Sequence, residues 1–296
     1  MHSLDRQQSD ETFAETTIVE ADDGRAPAPR ASATQRAYAA DWSHFSSWCR
    51  RSGVSPQPAD PGIVGAYLSA CASGSADGRG LSVSTLERRL AGLVWNYAQR
   101  GDRLDRKDPR LAEAVDLIRH EHARPPEQKQ SIGSDDLLAM LETLGHDLRG
   151  LRDRAVLLIG FAGGLRRAEI VGLDCGADQS EDGGGWVEIR DAGLVVALRS
   201  KTGRRTVEIG RGASDRSCPV AALERWLKLS RISRGPLFRR VFNDGKTVEV
   251  QRLADKHVAR LVKSAALAAG IRGDLPEGER ALAFASRSLR ARPRVR

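Results

Sequence analysis

Residues 186–209 break the rhythm of the rest of the chain. Trp186-Val187-Glu188-Ile189, Leu194-Val195-Val196-Ala197-Leu198 and Thr206-Val207-Glu208-Ile209 are short β-type runs separated by turn residues. Such runs predict a three-stranded antiparallel sheet, with Lys201-Thr202-Gly203-Arg204 as its second turn. Elsewhere the apolar residues recur at helical spacing. A chain patterned in this way is mainly α with a small antiparallel β-sheet. Its 296 residues are enough for two domains with separate cores.

The helical spacing locates the other elements. Tyr38, Trp42, Phe45 and Cys49, with Trp48 widening the stripe, predict a helix from Ser32 that Gly53 stops. Further helices are expected over Pro61–Ala72, from Ser84 through Leu86, Leu90, Leu93, Val94 and Tyr97, and over Arg110–His120. Together they make a compact helical domain at 31–123. Arg124-Pro125-Pro126-Glu127 cannot continue a helix, so residues 124–131 are expected to be a linker and 132–296 a second domain. In that domain Ser134 with Asp135 and Asp136 should open a helix. Leu151, Ala155, Leu158, Ile159 and Ala162 mark the next, and Pro219–Leu229 and Leu253–Ala269 mark two more.

Charge is unevenly distributed. Residues 1–30 hold seven acids and three arginines, net −4, and are expected to be a disordered acidic tail. The whole chain is +8, which leaves its remainder at +12. A body this basic suits a polyanion such as nucleic acid, and equally a solvated arginine-rich surface. Cys49, Cys71, Cys175 and Cys218 are far apart and form no C-x-x-C pair, and the histidines are scattered. Neither a metal, a cofactor nor a disulfide framework is expected. No apolar run approaches the ~18 residues of a membrane span and no apolar signal region opens the chain, so the reading is no membrane and a cytoplasmic location.

Three basic motifs stand in order in the second half: Gly164-Leu165-Arg166-Arg167-Ala168-Glu169, Ser200-Lys201-Thr202-Gly203 and Arg287-Ser288-Leu289-Arg290. Their chemistry fits attack on a phosphodiester, where charge builds on phosphorus and must be stabilised. Arginine stays charged, and its planar fork bonds two phosphate oxygens together. A lysine whose pKa is lowered by neighbouring cations can protonate a departing oxygen.

This array resembles the tyrosine recombinases, the phage integrase family. The resemblance covers about residues 31–291 and implies a helical core-binding (SAM-like) domain followed by an α+β catalytic domain, the two clamping double-stranded DNA. It assigns phosphate clamping to Arg166 and Arg290, the hairpin lysine to Lys201 and the bracing glutamate to Glu169. Arg287 stands where the family has histidine. Ser32–Tyr38 and Ser84–Leu90 are similar to two helices of the core-binding domain, which makes Thr34, Arg36, Thr85, Arg88 and Arg89, with Arg204 and Arg205 of the hairpin, candidate DNA contacts. The family's nucleophile follows the second arginine, whereas the chain's three tyrosines, Tyr38, Tyr67 and Tyr97, all precede it. The resemblance therefore implies a carboxy-terminally truncated or frameshifted recombinase that does not cleave in cis, with apolar faces such as that of Leu253–Ala269 left partly uncovered. The arginine-rich last ten residues fit an out-of-frame end or a basic DNA-binding tail. Family membership further implies assembly on DNA as a homo-oligomer or with intact relatives. A non-enzymatic DNA-binding regulator and a non-functional gene remnant are the alternatives.

Overall fold

The computed structural model describes residues 16–21, 33–76, 78, 80–123, 125, 128–200 and 203–290. The chain divides into two compact units, one of residues 26–127 and one that joins residues 1–25 to 128–296. The first element, β1 (Thr16–Ala21), belongs to the second unit, where it pairs antiparallel with a strand near the chain's middle. At these residues the expected disordered tail gives way to a strand. The physical reason is Thr16-Thr17-Ile18-Val19, four β-branched residues in a row. Residues 1–15 and 22–32 of that tail lie outside the described residues.

Four helices build the first unit: α1 (Ala33–Arg51), α2 (Pro61–Ser73), α3 (Val83–Gln99) and α4 (Pro109–His122). Their limits follow local chemistry. Asp60 accepts a hydrogen bond from the Gly62 amide at 2.7 Å and Asp108 one from the Arg110 amide at 3.0 Å, each ahead of a proline in the first turn. Phe45, Cys49, Tyr67, Leu68, Leu93, Tyr97 and Leu111 form the core, and edge-on ring contacts such as Phe45 to Tyr67 at 5.0 Å join α1 to α2.

The second unit continues with α5 (Ser134–Glu142), α6 (Leu148–Ala162), α7 (Arg167–Val171) and β2 (Leu173–Asp174). Gly133, not Ser134, stands at the N-cap of α5, and the Asp136 carboxylate reaches back to the Gly133 amide at 3.1 Å. Next come β3 (Gly185–Arg190), β4 (Gly193–Ser200), β5 (Gly203–Gly210), α8 (Pro219–Ser230), β6 (Arg239–Val241), β7 (Val248–Arg252), α9 (Asp255–Ala268) and α10 (Glu277–Ala283). A 3-10 turn covers Ser286–Leu289.

The three expected strands are β3, β4 and β5, paired antiparallel, but the sheet is larger and mixed. Its order is β1-β5-β4-β3-β2, with β2 parallel to β3. β2 is two residues long, too short to leave an alternation in sequence. One face of the sheet, with Val187, Val196, Val207 and Ile209 buried, packs into a core centred on α6, where Ala155 to Ile159 are all buried. A helix buried on every side reads in sequence as a continuous apolar run, as this one does.

The apolar face of α9 is covered. Val258, Leu261, Val262, Ala265 and Ala266 are buried, and α5, α7, α10 and the 3-10 turn pack around the helix. The expectation of an uncovered Leu253–Ala269 face is corrected, because α10 and the 3-10 turn were not foreseen. Among the described residues no helix is long and apolar enough to cross a membrane.

Candidate functional site

The first basic motif begins where α6 ends. Gly164 adopts φ +58, a left-handed turn that a side chain would strain. The turn buries Leu165, whose amide bonds the Gly160 carbonyl at 3.0 Å, and brings Arg166 to the N-cap of α7. Glu169 then falls in the first turn of α7 and folds back. Its carboxylate accepts from the Arg166 amide at 2.6 Å and from Arg166 Nη1 at 2.8 Å.

A second guanidinium joins the same carboxylate. Arg205 of β5 donates from Nη2 to Glu169 Oε2 at 2.9 Å. Glu169 is 14% exposed and Arg205 26%, whereas Arg166 is 62% exposed. Two cations thus share one shielded anion, and Arg166 is held at its base while its guanidinium faces solvent. Such an arrangement preorganises a positive group for an outside anion without neutralising it. Arg205, a candidate DNA contact on sequence grounds, is Arg166's companion on Glu169. Strand alternation carries the signal: Arg205 shares a face with buried Val207 and Ile209.

The third motif forms the 3-10 turn. Ser288 and Leu289 are buried, Arg287 and Arg290 are exposed, and the Ser288 carbonyl accepts from the Ile132 amide at 3.1 Å. This turn and α7 meet on α6. A Cβ at Gly160 would lie 2.7 Å from Ile170 Cδ1 and 3.4 Å from Leu289 Cδ1, so the bare glycine lets the segments bearing Arg166 and Arg290 close on one helix. Arg167 Nε adds an ion pair to Asp255 of α9 at 3.1 Å. Lys201, the candidate hairpin lysine, and Thr202 lie outside the described residues, between β4 and β5.

In the first unit the candidate cations differ in kind. Arg88, 43% exposed, makes a two-pronged bond to buried Asp41 at 2.5 and 2.8 Å. Arg89 is only 14% exposed, and its Nη1 reaches His44 Nδ1 at 3.0 Å, the Tyr67 hydroxyl at 2.8 Å and Cys71 Sγ at 3.3 Å. Arg89 is therefore an internal hub rather than the surface cation expected. Its position in α3 is one step from the apolar stripe, close enough for its stem to turn inward. Thr34 and Arg36 are exposed on α1, and Thr85 hydrogen-bonds Ser82 at 2.9 Å.

The tyrosines lie on helices of this unit. Tyr67 and Tyr97 are fully buried, and burial pushes both hydroxyls well above the ordinary tyrosine range. Tyr97 donates to the Pro56 carbonyl at 2.8 Å, and half-buried Tyr38 packs on Trp95 at 5.8 Å.

Sequence reading missed one more constellation. Arg152, 2% exposed, bonds Asp153 Oδ1 through Nε at 2.8 Å and through Nη2 at 2.7 Å, and the Arg239 carbonyl at 3.2 Å. His257 Nε2 sits 3.0 Å from both Arg152 Nη2 and Asp153 Oδ1. It ties α6 to α9 and β6, over separations along the chain that no local pattern reveals.

An open cavity of about 800 Å³ lies beside α5 and α6, where Arg154, Arg216 and Arg225 are matched by Asp135, Glu142 and Asp215. Burial first, and then the neighbouring Arg225 and Arg216, lower the pKa of Arg154. Among the described residues no group of histidines, cysteines and acids is gathered to hold a metal ion.

No protein-family model matches the chain. It is 30% identical over 270 residues to an integrase/recombinase xerD homolog of Selenomonas ruminantium, covering 88% of this chain and 72% of that relative. It is also 30% identical over 175 residues to tyrosine recombinase XerC 1 of Ralstonia nicotianae, where it spans 49% of the relative's length. Among solved structures, a XerH site-specific recombinase in a post-cleavage complex with a palindromic difH substrate shares the fold, with TM-score 0.50 and 14% identity over 86% of this chain and 66% of that one. A helical unit together with an α+β unit is the fold it shares with that structure. The chain belongs to the tyrosine recombinase family.

Proposed function

We propose that this chain binds double-stranded DNA and acts on it as part of a site-specific recombinase, and that these 296 residues by themselves do not cut it. The observation that carries the reading is Arg166, exposed and held by a carboxylate that Arg205 shares. In this reading Arg166 and Arg290 clamp the scissile phosphate and Glu169 fixes the first of them. Lys201 protonates the departing oxygen, and Arg287 adds charge where the family has a proton-handling histidine. Thr34, Arg36, Thr85, Arg88 and Arg204 contribute phosphate contacts that give affinity rather than sequence choice. No cofactor enters, since a tyrosyl ester would conserve the phosphodiester energy.

The placement of tyrosine supports the second half of the proposal. All three lie in the helical unit, and the two buried ones are harder to ionise than a free tyrosine. The chain would then work as a DNA-binding partner, as a homo-oligomer or beside a relative that donates a nucleophile, in the nucleoid of the cytoplasm. The name integrase attached to its xerD-like relative favours a mobile element as the setting.

The test is binding and cleavage of a duplex drawn from DNA flanking the gene, at two salt concentrations, with a nicked suicide substrate to trap any covalent adduct. Binding that weakens steeply with salt, without adduct, is the expected result. A trapped adduct would refute the claim of no cleavage, and no binding at either salt would refute the whole reading.

A further inference from the structure

α7 is five residues long, too short to hold its place through its own backbone bonds. Its position must come from contacts, and Arg166 stands at its N-cap. Ile170 and Val171 bury one side of it. Its far end is gripped by a residue that has no part in the reading above. Arg252, the last residue of β7 and 12% exposed, turns its guanidinium to the corner where α7 passes into β2. Nη1 donates to the Val171 carbonyl at 2.8 Å and to the Leu173 carbonyl at 3.0 Å, one on each side of Gly172. The carbonyls that end a helix have no partner within it and carry its partial negative charge, so a guanidinium there both satisfies and holds them. The corner is tight: a Cβ on Gly172 would lie 2.8 Å from the Ala168 carbonyl oxygen and 3.3 Å from Gly184.

The other half of the fork is anchored as firmly. Arg252 Nη2 donates to Asp174 Oδ1 at 2.7 Å, Ser180 Oγ at 2.6 Å and Asp182 Oδ1 at 3.2 Å. Asp174 is buried and belongs to β2, in the same sheet whose β5 carries Arg205. Arg252 Nε is buried without a hydrogen-bond partner, so the side chain is set for its two Nη groups. Asp255, three residues further on, pairs with Arg167 at 3.1 Å. α7 is thus fastened to one sheet twice, through Glu169 to Arg205 near its start and through Arg252 to β2 at its end.

We infer that Arg252 is a positioning residue for Arg166: with both Nη groups occupied inside the fold, it acts on a duplex only through α7, by fixing the direction in which Arg166 meets a phosphate. This inference rests on the DNA-binding reading given above, in which Arg166 is a phosphate contact.

The experiment measures the salt dependence of binding to a labelled duplex of arbitrary sequence, with the full chain. Arg252→Lys keeps the charge beside Asp174 and Asp182, but one ammonium cannot bridge carbonyls and carboxylates that a planar fork reaches separately. Net charge is unchanged, so counterion release by the protein as a whole leaves the slope as it was. Positioning instead lowers the slope by about one, as Arg166→Ala does, with no further fall when the two substitutions are combined. Ser180→Ala with Asp182→Asn leaves Arg252 paired with buried Asp174; it makes the chain more positive, yet should also lower the slope, by less. In both variants the Gly172 amide, bonded to the Ala168 carbonyl, should exchange hydrogen faster while the amides of α6 stay protected. Should lysine unfold the chain, the second variant decides by the same comparisons. A slope unchanged in both variants while Arg166→Ala lowers it would overturn the positioning role and leave the phosphate contact standing. Full additivity of Arg252→Lys and Arg166→Ala would overturn it too, since Arg252 would then act elsewhere than through Arg166. If Arg166→Ala itself left the slope unchanged, the reading of Arg166 would fall and this inference with it.

Discussion

Arg88 of α3 and Arg166 before α7 each pair with a carboxylate, yet they are held in opposite ways. Asp41, the partner of Arg88, lies on another helix and is buried, so the bond staples α1 to α3 and fills both prongs of the guanidinium. Glu169, the partner of Arg166, lies three residues along the same segment and takes one prong. A distant carboxylate makes an arginine part of the fold, while a local one aims it and leaves it available. Arg152 shows that burial can override that rule: its carboxylate, Asp153, is adjacent in the chain, but His257 and the Arg239 carbonyl close around the guanidinium and commit it to the fold.

Substitutions test that comparison, and the largest effect belongs to the most committed arginine. Arg152→Met strands Asp153 inside the second unit and should lower stability by about 3–5 kcal/mol in urea melts followed by circular dichroism. Gly160→Ala forces a methyl group against Ile170 and Leu289, with an expected loss of about 1–3 kcal/mol and weaker duplex binding, because it pushes apart the segments that carry Arg166 and Arg290. Asp41→Ala should cost the first unit about 1–2 kcal/mol, less than a fully buried pair because Arg88 reaches water. A stability loss from Asp41→Ala no larger than that from Arg166→Ala would break the comparison. Arg166→Ala is expected to change stability by less than about 0.5 kcal/mol while reducing the salt slope of DNA binding by about one.

The smallest effect is one of pH. A hydrogen bond from Arg252 holds Asp182 below the usual aspartate range. Folding is favoured by this pair above the unfolded aspartate pKa of about 4, and that contribution disappears as pH falls through the lowered folded value. Asp182→Asn should make the melting temperature less sensitive to acid below about pH 4, as read from melts across a pH series.

The helices that carry a regular stripe were legible in the sequence. α1, α2, α3 and α4 begin and end within a few residues of expectation, because Asp60-Pro61 and Asp108-Pro109 act locally and the stripes face one core. β3, β4 and β5 were legible for the same reason. What escaped notice depends on partners far along the chain. β2 is a strand only because β3 lies beside it, and β6 and β7 are short and irregular, with a shift in register between Arg239 and Val241. In the candidate site the pairing of Glu169 with Arg166 was implied by the family resemblance, whereas the bond from Arg205 to Glu169 needed the sheet to bring residues 36 apart together. Arg89 shows the reverse error: a charged residue beside a stripe reads as surface until His44, Tyr67 and Cys71 are placed around it.

The pairing of β1 with β5 also orders events during synthesis. β1 leaves the ribosome well before β5, and the strand it needs follows only after the whole helical unit, α5, α6, α7 and half the sheet. The helical unit is in effect inserted between two parts of one sheet. It can mature while β1 waits, and the closing of that long loop comes late, when β5 emerges. During the wait the nascent chain exposes an unpaired, β-branched segment, Thr16 to Val19, flanked by Glu15, Glu20, Asp22 and Asp23. Charges beside an unpaired β-branched segment oppose its pairing with the same segment of another chain.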